Sequence, residues 1–287
     1  MATDRAKDPS YLSGPSVRDV RRSYVEEQYP ILLRNNRLRA SDLARLQGEV
    51  STFDLKPLVS ILMPLPEPRR LERTLDSVVR QIYPHWELCI CGDGCTGEQT
   101  NNLLSTYERL DGRIAVRHLA QNAGMVELSN TALSMAGGEL VCLLGQGDEL
   151  APDALLEIIK LLQNHPQADL IYTDEDTIDD EGNRSAPRFK PGWSPELLLS
   201  TNYISCLSVY RRSLLEELGG LREGFEGCHD YDLLLRLTER TDRIHHVPRV
   251  LYHRRRKEVD PPDGHVRDRT RRALSEALQR RNMEGGV

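Results

Sequence analysis

Between Pro57 and Asp176 short apolar runs alternate with longer amphipathic stretches, and this alternation restricts the fold more than any other feature of the chain. "LVSILM" reads as a strand and "RRLERTLDSVVRQI" as a helix, with Leu71, Leu75, Val78, Val79 and Ile82 on one stripe. "WELCIC" is a second strand that ends in the turn "GDGCTG". A helix over "EQTNNLLSTYERL", a strand "RIAVRHL", a helix near "MVELSNTALSMA" and a strand "ELVCLL" continue the series. "APDALLEIIKLLQNH" follows, with Pro152 and Asp153 suited to a first helical turn, and then "ADLIYTDED". Apolar strands separated by helices belong to a mainly parallel sheet buried on both faces, so the expected class is α/β and Rossmann-like.

Past Asp176 the alternation stops and an α+β extension of the same sheet is expected. "TIDDEGNRSAP" reads as a hairpin around Glu181 and Gly182, and "SPELLLSTNYI" as a helix capped by Ser194 with Pro195 at its first position. Ahead of the sheet, residues 16–52 are charged and place Val17, Val20, Tyr24, Leu43 and Leu46 at helical spacing. One or two helices forming an accessory arm fit that pattern.

Composition removes several classes. A chain of 287 residues that is 39% hydrophobic can bury a sizeable core. No apolar run nears the roughly 20 residues of a membrane helix. The polar N-terminal residues lack the apolar stretch of a secretory signal, so a cytoplasmic protein is expected, with peripheral contact to the inner face of the membrane as a further option. The six cysteines contain no CxxC pair, which argues against a zinc site and against a disulfide framework. A net charge of −6 gives no pull toward nucleic acid, and none is expected as a partner. Basic residues nevertheless collect in "RVLYHRRRK" and "RDRTRRALSEALQRR". A solvated helix face, anionic lipid headgroups or a substrate diphosphate would each account for them.

Open parallel sheets bind ligands beyond the carboxyl ends of their strands, which selects the loops "PLPEP", "GDGCTG", "GQGDEL" and "TDED". Asp93 and Asp148 each sit beside glycines that let backbone approach a ligand. Two such aspartates around one crevice suit a nucleotide, one meeting base or ribose and the other a divalent cation on the diphosphate; an ordinary turn is the alternative for each. In "EGCHDYDLLLRLTER" a helix beginning near His229 presents Asp230 at its N-terminal end, either as a cap or as a general base. Asp232 is the alternative candidate to cap or neutralise the same helix end.

Taken in order, "PLVSILMP", "GDG", "RIAVRHLAQNAGMVELSNTAL", "AGGELVCLLGQGDELAPDAL", "DLIYTDED", "FKPGWSPELLLSTNYI" and "GCHDYDLLLRL" with "IHHVPRVLYHRR" resemble the family 2 glycosyltransferases, which have the GT-A fold. The resemblance spans roughly Pro57 to Arg256. It implies transfer of a sugar from a nucleotide diphosphate sugar, a UDP-sugar first among them, to a glycan or lipid-linked acceptor hydroxyl with inversion, with Mg²⁺ or Mn²⁺ on the diphosphate. It implies a glycosyltransferase domain with a nucleotide-sugar half (57–176) and an acceptor half (177–256); helical spacing and basic charge add an N-terminal arm (1–56) and a basic C-terminal helix (257–287). Residue by residue, it implies donor contacts from Pro64, Asp93, Gly94, Asn122, Gly124, Gln146 and Asp148. It places Asp148 and His253 at the metal and makes Asp230 the base.

The chain departs from the family where carboxylates are concentrated. Gly92 stands for the first aspartate of "DDGS", Gly145 and Gly147 for two of "DxDD", and Gly192 for a further aspartate near "KPGWSP". Fewer carboxylates imply weaker cation and nucleoside binding, and a fold that binds without turning over is the alternative function.

Overall fold

The computed structural model describes residues 17–66, 70–94, 97–119, 123–256 and 264–283, with side chains from residue 25 onward. Helices α1 (Val17–Asn35) and α2 (Ala40–Ser51) precede the sheet. Strand β1 (Val59–Leu65), α3 (Leu71–Val79), β2 (Trp86–Asp93), α4 (Glu98–Leu110), β3 (Ile114–Leu119), α5 (Met125–Met135) and β4 (Leu140–Leu143) form the alternating half. There follow β5 (Glu149–Leu150), α6 (Ala154–Asn164), β6 (Leu170–Ile178), β7 (Arg184–Arg188), α7 (Pro195–Ser200), β8 (Ser208–Arg211), α8 (Arg212–Glu217), α9 (His229–Leu237), β9 (Ile244–Arg255) and α10 (Gly264–Arg280).

The strands lie in one sheet in the order β3-β2-β1-β4-β8-β6-β9-β5, with β7 on β6. β1 to β4 are mutually parallel, β8 is antiparallel to both β4 and β6, and β9 is parallel to β6. The carboxyl ends of β1 to β4, β6 and β9 therefore share one edge, which also receives the segment that enters β8.

Alternation along the strands explains why both faces are covered. Val59, Ile61, Met63 and Leu65 of β1 pack with α3 and α6, whereas Leu62 packs with α5 and α9. β2 repeats the division, with Leu88 and Ile90 on the first side and Cys89 and Cys91 on the second. Each large side chain buried in this way contributes about 1.5 to 3 kcal/mol. In α3, Leu71, Leu75 and Val78 are buried as expected, but Val79 remains 39% exposed. One residue is a 100° step around a helix, and it carries Val79 off the apolar stripe.

The hairpin forms as read, with Thr177 opposite Ser185 and Gly182 at φ 91° in its turn. Ser194 caps α7, its hydroxyl oxygen accepting from Leu197 N at 3.3 Å. The helices ahead of the sheet are packed on it: Tyr29 of α1 and Leu46 and Val50 of α2 are buried. α10 docks on α9 through Ala273 and Ala277. Its arginines are largely engaged, Arg269 with Glu226 O, Arg272 with Gly224 O and Arg280 with Glu239. The other basic run, Arg249 to Arg255, is strand β9 and not a helix face, because its residues pair with β6. Cys89, Cys91, Cys142 and Cys228 are buried free thiols and Cys206 is partly exposed, while Cys95 lies outside the described residues.

Candidate active site

β4 stops at Leu143 and the chain turns through Gly145 and Gly147 before β5. Gly147 has φ 82°, a conformation that disfavours any residue with a Cβ. Its N–H donates to Thr74 Oγ1 at 3.1 Å, and its carbonyl accepts from Arg255 Nε at 3.1 Å. Asp148 is 8% exposed and each of its oxygens meets β9. Oδ2 accepts from the Tyr252 hydroxyl at 2.5 Å, and Oδ1 accepts from Arg255 N at 2.7 Å. The same Tyr252 oxygen accepts from Gly145 N at 3.0 Å. Burial first, then the Asp148 charge, push the Tyr252 hydroxyl well above its ordinary value and keep it a donor. A Cβ on Gly145 would lie 2.4 Å from Asp148 Oδ2, so this closed unit requires glycine there.

The segment entering β8 reaches the same carboxyl edge of the sheet. The Cys206 thiol is pushed up to about 12, by burial first, then by Glu175 and Asp148, with Arg254 opposing and Asp230 adding. Glu175 is 1% exposed and surrounded by donors: Cys206 N at 3.1 Å, Lys190 Nζ at 3.2 Å and Arg188 Nη1 at 3.1 Å, with Arg254 Nη1 at 3.9 Å. Lys190 is buried and also donates to the carbonyls of Ile204 and Cys206, so it staples this segment to β6. Burial lowers the Lys190 ammonium below its ordinary value, against the pull of Glu175.

Asp230 stands in the first turn of α9, partly exposed, and its Oδ2 accepts from Asn202 Nδ2 at 2.9 Å. Asp232 differs from the expectation of a helix-end cap. It is fully buried and bonds Arg222 and Arg236, the latter at 3.0 Å, because the helix turns it inward against the 218–222 segment.

His253 is a second departure. It follows Tyr252 on β9 and therefore points to the opposite face of the strand. Its Nδ1 lies 2.7 Å from Asp176 Oδ1, and Asp176 Oδ2 accepts from Tyr29 at 2.5 Å and Arg184 Nε at 2.6 Å. Burial works to raise the Asp176 carboxyl, yet the bond and charge of His253 and the charge of Arg184 hold it below the ordinary carboxylate value. Asp148 and His253 are thus not brought together as ligands of one cation. Among the described residues no group of three or more His, Cys, Asp or Glu is arranged to hold a metal. A hard divalent ion needs carboxylate oxygen, but Gly145 and Gly147 offer none and Asp148 is bonded to β9 through both oxygens, so the residues present do not fit one.

The remaining expected donor contacts gather along the carboxyl edge of the sheet. Pro64 and Asp93 are buried near the ends of β1 and β2, Gly94 follows Asp93, Gly124 precedes α5 and Gln146 lies in the turn after β4. Asn122 lies outside the described residues. Sequence reasoning did not single out Glu175, Lys190, Asn202 or Tyr252. "TDED", "FKPGWSPELLLSTNYI" and "IHHVPRVLYHRR" pointed to their neighbourhoods, but not to these residues.

The sequence profile of glycosyl transferase family 2 matches residues 61–219. The chain is 37% identical over 211 residues to the O-antigen biosynthesis protein RfbC of Myxococcus xanthus, covering 73% of this chain and 16% of RfbC. It spans less than a quarter of the length of the first curated relatives it matches. Among solved structures it is similar to S. aureus TarS 1-349 in complex with UDP-GlcNAc, with TM-score 0.62, 17% identity, and coverage of 79% of this chain and 68% of the other. It is also similar to the mannosyltransferase PcManGT from Pyrobaculum calidifontis in complex with GDP-Man and Mn²⁺, with TM-score 0.54, 18% identity, and coverage of 93% and 76%. At such identities the likeness concerns the fold, which is GT-A. With more than half of its residues under the family profile, the chain belongs to glycosyl transferase family 2.

Proposed function

We propose that the chain transfers a sugar from a nucleotide diphosphate sugar to an acceptor hydroxyl with inversion, in the assembly of a cell-surface polysaccharide or related glycan. The observation that carries this reading is that Asn202, on the segment entering β8 at the carboxyl edge of the sheet, holds the Asp230 carboxylate at 2.9 Å. The nucleotide half ends at that edge, and the helix that presents a carboxylate from the other half begins there. The names of the relatives support the substrate class: RfbC is an O-antigen biosynthesis protein, and the two similar structures hold UDP-GlcNAc and GDP-Man. A UDP-sugar is the donor we favour.

In this reading Pro64, Asp93, Gly94, Gly124 and Gln146 line the donor, with glycine backbone approaching ribose and diphosphate closely. Asn202 takes one oxygen of Asp230 and fixes its orientation. The other oxygen removes the proton of the acceptor hydroxyl as that hydroxyl attacks the anomeric carbon. The bond from the anomeric carbon to the diphosphate breaks, and the leaving diphosphate carries away the electron pair. No step is routed through a divalent ion, which the residues present do not fit.

The acceptor, glycan or lipid-linked, approaches from the α9 side. Among the described residues no helix is long and apolar enough to cross a membrane. Peripheral contact through α10 draws little support from its arginines, most of which are bound to the body of the protein. The test is release of UDP or GDP from a panel of their sugar conjugates. Release of one nucleotide supports the reading; absence of both release and nucleotide binding would replace it with an inactive relative.

A further inference from the structure

The crevice has a cation of its own. Antiparallel pairing sets Glu149 opposite His253, so the next residue along β9, Arg254, comes opposite Asp148. Its side chain is 51% exposed, and its Nη1 lies 3.9 Å from Glu175 Oε1. Arg188 reaches the same oxygen at 3.1 Å and is also 51% exposed. Lys190 meets the other Glu175 oxygen from the buried side at 3.2 Å. Three cations thus share one carboxylate, and the two guanidiniums remain half in solvent. Asp148, in contrast, is closed off by Tyr252 and by Arg255 N. The residues that would hold a hard cation are missing or engaged, while the groups that would hold an anion directly are accessible.

We propose that in this chain the guanidinium of Arg254, with Arg188 beside it, holds the donor's diphosphate in place of a divalent cation. The inference rests on the donor reading above and adds to it the means of binding. A guanidinium matches phosphate oxygen with paired N–H donors and keeps its charge at every working pH. Glu175 holds Arg188 by a hydrogen bond and attracts Arg254 at longer range, which limits the freedom they would lose on binding. The site then favours a nucleoside diphosphate over the nucleoside monophosphate, since the contacts fall on the terminal phosphates.

Titration calorimetry of UDP and GDP into the full chain tests this, first in EDTA and then in Mn²⁺. The expected result is binding of one nucleotide in EDTA, changed less than about twofold by Mn²⁺. Arg254→Ala is expected to weaken it about 10- to 100-fold, the size of a lost charged hydrogen bond, and Arg254→Lys to weaken it less. Melting curves of both variants establish that they are folded, and Arg188→Ala provides an independent readout if one of them is not. A tenfold or larger gain from Mn²⁺ would overturn the inference and leave the donor reading standing. So would metal-insensitive binding that Arg254→Ala does not weaken. Absence of binding in either condition would overturn both.

Discussion

Asp148 and Asp230 are carboxylates from opposite halves of the chain, and their surroundings differ. Asp148 is buried, with one oxygen on the Tyr252 hydroxyl and the other on Arg255 N, both donors belonging to β9. Asp230 is partly exposed at the start of a helix and accepts from the single side chain Asn202 at one oxygen. A buried carboxylate with a hydrogen bond on each oxygen stabilises the fold through those bonds and keeps fewer lone pairs, with little exposure, for a ligand. One at an exposed helix end, held by a neutral amide, can exchange a proton with a substrate. The difference shows that a strand-end aspartate is not a metal ligand by position alone; the donors around it decide.

The comparison breaks most visibly at Asp230. Asp230→Asn removes the base while retaining shape, so nucleoside diphosphate release coupled to transfer should fall about 10²- to 10⁴-fold with the melting temperature unchanged. A variant that turns over like wild type would remove Asp230 from the chemistry. On the other side, Gly145→Ala drives a Cβ to 2.4 Å from Asp148 Oδ2, and overpacking of this kind costs about 1 to 3 kcal/mol. Urea unfolding reads that loss, and an unchanged midpoint would mean that the turn is looser than described.

The smallest effect concerns slope. The folded state holds the Asp176 carboxyl below its ordinary value, so between the two values it binds fewer protons than the unfolded chain. That stability is fully present above the unfolded value of about 3.9 and is lost as pH falls through the folded value. Wild-type melting temperature should therefore decline from pH 5 to pH 3 more steeply than that of Asp176→Asn. Equal slopes would show that the link between Tyr29, Asp176 and His253 does not respond to acid.

Much of the fold could be read from sequence because both faces of the sheet are buried. β1 and β2 are mostly apolar runs interrupted by Ser60 and Glu87, and the capped helix α7 and the glycine hairpin carry local signals. β5 and β8, at two and four residues, are too short to show a period. The candidate site was legible as a set of loops but not as a set of bonds. Asp148 finds its partners 104 and 107 residues away, and His253 meets Asp176 across 77. Periodicity tells which residues are buried, whereas the partner of a buried polar group is fixed by topology. His253 and Asp148 are therefore both visible in sequence, and only strand alternation on β9 reveals that they face apart.

The most direct test is a single urea series on wild type, Asp148→Asn and Asp230→Asn. We expect the midpoint of Asp148→Asn to fall, because an amide cannot accept from both Tyr252 and Arg255 N without loss, while Asp230→Asn overlays wild type. The reverse order, or two curves that both overlay wild type, would contradict the assignment of Asp148 to the fold and Asp230 to the chemistry.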